Sequence, residues 1–69
     1  MIVTFPKRIA IAHLIRNERE TANLLQKECA ARCDYTVRQW QYWESGEYRP
    51  TGRALKAIIR LFPNLQKFV

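Results

Sequence analysis

Tyr35-Thr36-Val37-Arg38-Gln39-Trp40-Gln41-Tyr42-Trp43-Glu44-Ser45-Gly46 holds a helix start, two chemically opposed faces and a helix stop in one short stretch. Thr36 and Gln39 have the spacing of a capping box, in which each side chain satisfies an orphan backbone N–H at the first turn. Gly46 supplies the stop, because it takes the left-handed conformation past a helix end without steric cost. Val37, Trp40 and Trp43 recur at helical spacing and are expected to form one buried face. Arg38, Gln39, Gln41 and Tyr42 point elsewhere. Arg suits the acceptor pair of guanine and Gln the mixed edge of adenine, so this face is suited to reading bases in a major groove.

Working outward, Asn23 and Gln26 repeat the cap-then-Gln spacing, and Leu25, Cys29 and Cys33 fall four apart on one face. A helix over Leu24 to Arg32 is expected, with Thr21 as an alternative cap. Ala30 is small enough to let two helices cross closely. Cys33-Asp34-Tyr35 forms the turn to the next helix, and Asp34 is the residue there best able to adopt a left-handed conformation.

The run Thr36 to Gly46, followed by Arg49-Pro50, resembles the Cro/C1-type (XRE-like) helix-turn-helix family. In that family a Ser or Thr cap opens the second motif helix, an apolar residue follows four positions on, and Trp-Glu-x-Gly-x-x-x-Pro closes it. Trp43, Glu44, Gly46 and Pro50 match this pattern position for position. The segment from Trp40 to Gly46 is also similar to a stretch in phage anti-CRISPR-associated autorepressors of small operons. The resemblance runs from about Gln26 to Leu61, with two departures. The turn lacks the usual Gly, and Asn17-Glu18-Arg19-Glu20-Thr21 makes the link before Gln26 look long.

The resemblance implies an all-α, lambda-repressor-like bundle of four to five helices, with Ala30, Tyr35, Trp40 and Trp43 in the core of the motif. It implies base readout by Arg38, Gln39, Gln41 and Tyr42. Contacts to the DNA backbone would come from Gln26, Thr36, Arg49, Thr51, Arg53 and Lys56, with Gln26 also holding the recognition helix in place. Helix N-terminal N–H groups at Thr51 could add to phosphate binding. A solvated basic face is the other reading of Arg49, Arg53 and Lys56.

The flanks read more simply. Ile2 to Phe5 is apolar and β-branched, either an extended arm or a disordered terminus. Pro6 suits a first helical turn, and Ile11, Leu14 and Ile15 give a helix from Pro6 to about Arg19. Thr51 is expected to cap a last long helix striped by Leu55, Ile58, Ile59 and Phe62, with Gly52 tolerated in its first turn. Pro63 breaks the chain before a short apolar piece. Leu61, Phe62, Leu65 and Phe68 are read as part core and part dimer contact, with simple core packing as the other reading.

Composition bounds the function. Sixty-nine residues make one domain, near the size at which a single core is marginal and dimerisation helps. Twelve Lys and Arg against six Asp and Glu give a net charge of +6, which suits a polyanionic partner as well as a solubilising surface. No run approaches a membrane span, and a soluble, cytoplasmic protein of a bacterial or phage-infected cell is expected. Cys29 and Cys33 read as buried free thiols, since no second pair completes a metal site. His13 has no ligand partners at suitable spacing and reads as a surface or packing residue. No catalytic grouping and no cofactor or small-molecule site is expected. The expected partner is an inverted-repeat double-stranded DNA operator, bound by a homodimer acting as a repressor. An antitoxin that also binds a toxin, and a helix-turn-helix module for protein interaction, are the alternatives.

Overall fold

The computed structural model describes residues 7–68, with side chains described from residue 10 onward. The expectations for Ile2 to Phe5 and Pro6 lie outside these residues. Within them the chain is all-helical: α1 (Lys7–Thr21), α2 (Gln26–Arg32), α3 (Val37–Ser45), α4 (Gly52–Leu61) and a 3₁₀ segment (Pro63–Phe68).

The α1 helix runs two residues past its expected end, so the apparent long link is mostly helix. Its stop is Asn23, at φ 60°. The Leu24 N–H reaches the Arg19 carbonyl at 3.1 Å and the Asn23 N–H reaches Glu20 at 3.0 Å, the Schellman pattern of bonds. Asn23 therefore ends α1 instead of capping α2, and Thr21 is the last residue of α1. Leu25 holds the cap position of α2, where its N–H donates to Glu28 Oε1 at 2.9 Å. Leu has no side-chain acceptor, so only this half of a capping box forms. Leu25 is 57% exposed and leaves the Cys29–Cys33 face, while Leu24, one residue earlier, packs against the core. The shift follows from the left-handed turn at Asn23.

A second Schellman turn ends α2. Asp34 sits at φ 63° and the Tyr35 N–H bonds the Ala30 carbonyl at 2.9 Å. Asp34 thus takes the left-handed role that glycine usually fills. Gly52 is stricter than its sequence suggested: it enters α4 at φ +53°. Thr51 holds the cap position, but its hydroxyl makes no cap hydrogen bond.

The core joins Ile11 and Ile15 of α1, Cys29 and Ala30 of α2, Trp40 and Trp43 of α3, and Ala54 and Ile58 of α4, with Cys33, Phe62 and Leu65. Trp40 is fully buried and meets Trp43 edge-to-face at 5.8 Å, while Tyr35 closes on Trp43 at 5.1 Å. Phe62 joins this core at the end of α4, and Leu65 joins it because the 3₁₀ segment packs against α4 and α1. Both cysteines are free and buried. Burial pushes the Cys29 thiol up to about 11, so it packs as a neutral apolar group.

Candidate nucleic-acid interface

The α3 helix is held by packing on both α1 and α2, which leaves its polar side open. Its start is set as the sequence requires: Thr36 Oγ1 accepts from the Gln39 N–H at 3.2 Å, and Gln39 Oε1 accepts from the Thr36 N–H at 3.4 Å. Gly46 closes the helix at φ 83°. The capping commits the Thr36 hydroxyl and the Gln39 carbonyl oxygen, leaving the Gln39 amide hydrogens free.

Arg38, Gln39 and Gln41 are exposed together on this face. Tyr42 is half-buried, its ring braced edge-to-face against the exposed Tyr48 at 5.2 Å. Val37 departs from its expected place with the two tryptophans and is 41% exposed. It is the first residue of α3, one turn short of Trp40, and lies beyond the part of the helix that meets the core.

Beneath this face lies a buried carboxylate to which sequence reasoning assigned no role. The Glu44 side chain is 1% exposed. Arg19 donates from Nε to Oε2 at 2.6 Å and from Nη2 to Oε1 at 3.1 Å, a bidentate fork. Gln26 Nε2 donates to Oε1 at 3.2 Å, and the Trp40 indole N–H donates to Oε2. Arg16 adds an ion pair at 3.5 Å and a bond to the Glu44 backbone carbonyl at 3.3 Å. Glu44 thereby ties α1, α2 and α3 to one point. Burial pushes its pKa up, but the hydrogen bonds from Arg19, Trp40 and Gln26 outweigh that, and the carboxyl is held below its usual range. The same contact raises the Arg19 guanidinium.

Gln26 links this hub to the open face. While its amide donates to Glu44, its Oε1 lies 3.5 Å from Gln41 Nε2. One end of the expected base-reading set is thus positioned by the helix below it, leaving Gln26 one amide hydrogen for a further acceptor.

A cleft of about 620 Å³ lies beside α4, lined by Arg32, Asp34, Arg53, Lys56 and Arg60 among others. Four cations face one carboxylate. The Arg53–Asp34 pair, at 3.8 Å between side chains 85% and 91% exposed, restrains them little. Arg53 and Lys56 are brought together as expected. Arg32 and Arg60 join them from the ends of two helices, which spacing within one segment could not reveal. Arg49 and Thr51 are exposed in and after the loop that follows α3. Among the described residues no cluster of His, Cys, Asp and Glu is placed to hold a metal, and no helix is long and apolar enough to cross a membrane. His13 is exposed.

The helix-turn-helix domain family matches residues 10–62. The chain belongs to this family, of the Cro/C1 (XRE-like) type. The match takes in α1, extending the likeness upstream of Gln26. A helix-turn-helix domain is a DNA-binding fold, and the coarse assignment is that of a DNA-binding regulator. No curated protein matches the chain, and no solved structure does.

Proposed function

We propose that this single domain is a sequence-specific double-stranded DNA binder that acts as a small dimeric repressor in the cytoplasm of a bacterial or phage-infected cell. The observation that carries the proposal is α3 itself. Its apolar side is locked into the core by two tryptophans and a buried carboxylate, while Arg38, Gln39 and Gln41 are exposed on its outer side. A rigid helix with donors and acceptors on one face fits a major groove.

Arg38 reads a guanine edge; Gln39 and Gln41 read adenine or bridge neighbouring bases, and Tyr42 supports them. Arg49, Thr51, Arg53 and Lys56 hold phosphates, with Arg32 and Arg60 adding to the field. Gln26 offers its remaining amide hydrogen to the backbone. Two copies bind half-sites of an inverted repeat about one helical turn (~34 Å) apart. Repression is steric, by covering a promoter, and needs no cofactor. The similarity of Trp40 to Gly46 to anti-CRISPR-associated autorepressors supports a phage or mobile-element operon as the setting.

The test is selection of bound duplexes from a randomised pool at two salt concentrations. A two-fold symmetric site that survives the higher salt supports the proposal; binding lost uniformly with salt would leave a non-specific backbone binder. On the selected site, Arg38→Ala should relax the preference at one base pair by about 1–3 kcal/mol. Arg53→Gln should weaken binding to all sequences and reduce the salt slope by about 0.9. Equal patterns of loss in the two variants would contradict the division into base and phosphate contacts.

A further inference from the structure

We propose that Val37 is a specificity-determining residue that recognises a thymine through its 5-methyl group. This rests on the DNA-binding reading and extends it to an apolar contact outside the polar set.

Val37 is the first residue of α3, directly before Arg38 and directly after the capping Thr36. The residue is 41% exposed, although its spacing from Trp40 and Trp43 is that of a core residue. The first turn is fixed by reciprocal bonds between Thr36 and Gln39. A β-branched side chain has few χ1 states to lose. Val37 is thus a stiff apolar group on a preorganised turn, and a recognition helix brings its N-terminal residues nearest the bases.

The chemistry of the groove then selects the ligand. Each base presents donors or acceptors on its major-groove edge, and thymine alone adds a methyl group. Placing Val37 over any other base would bury a donor or acceptor without a partner, at a cost in affinity. Exposed apolar residues elsewhere on the chain, such as Leu25 at the start of α2, lack this position on α3.

The experiment replaces each thymine of the selected site in turn by deoxyuridine, which removes the methyl and keeps every hydrogen-bonding group. Wild-type protein should lose about fourfold in affinity per half-site at one thymine, the transfer value of one methyl group. Val37→Ala should bind the thymine and uracil sites equally, and Val37→Thr, which keeps one methyl, should fall between. Circular dichroism checks that both variants fold. If wild type and Val37→Ala respond alike to every uracil substitution, Val37 does not read a methyl group and the inference is overturned. Failure of the wild type to select any duplex would overturn the DNA-binding reading, and this inference with it, an outcome distinct because it appears before any base is changed.

Discussion

At Glu44 a carboxylate stays charged inside the core because a bidentate Arg19, Gln26 and the Trp40 indole surround it. Removing one partner of a buried ion pair strands the other, so Glu44→Ala should lose about 3–5 kcal/mol in urea unfolding. A domain this small has about that much in total. A loss below about 1 kcal/mol would mean that water replaces the carboxylate freely. Folding lowers the Glu44 pKa from 4.5, so its contribution is complete above pH 4.5 and is lost as pH falls through the lower folded value. Urea midpoints measured downward from pH 7 should fall across that window, and Glu44→Gln should flatten the profile. The sequence matched Glu44 to a family pattern without indicating this work, because Gln26 and Arg19, which hold it across helices, lie 18 and 25 residues away. Arg38, Gln39 and Gln41 were legible, since a helix spacing alone separates them from Trp40 and Trp43.

At the scale of the element, boundaries followed local chemistry wherever that chemistry was unambiguous. Thr36 with Gln39, and Gly46 after Ser45, fixed α3 at both ends. Asn23 was ambiguous, because the same short side chain serves an N-cap and a left-handed stop, and the backbone bonds to Arg19 and Glu20 decide for the stop. From spacing alone Gly52 is merely tolerated, yet its φ of +53° favours a residue without a Cβ. Gly52→Ala should therefore cost about 1–2 kcal/mol. A Cβ there would meet no atom within 4 Å, so the loss is backbone strain. Gly52→Asn, better suited to the left-handed region, should lose less; equal losses in thermal unfolding would point to a cause other than φ.

For the whole molecule, the question is which apolar surface the fold leaves over. Phe62 and Leu65 are consumed by the core, whereas Phe68 remains 48% exposed beside Leu14, Leu55 and Leu65. If the proposed dimer forms on this edge, Phe68→Ser should raise the dimer dissociation constant by about tenfold or more in sedimentation, with little change in unfolding midpoint at low concentration. An unchanged association would place the dimer contact elsewhere. Periodicity and capping were enough for the sequence to determine an all-helical chain, the limits of α3 and the opposition of its two faces, because each depends on residues within about one turn of one another. Only the tertiary structure decided that Glu44 joins three helices, that Arg32 and Arg60 share a cleft with Arg53 and Lys56, and that Val37 stands outside the core. Those outcomes depend on where separate helices pack, and burial is set by what lies opposite a residue as much as by its place on its own helix.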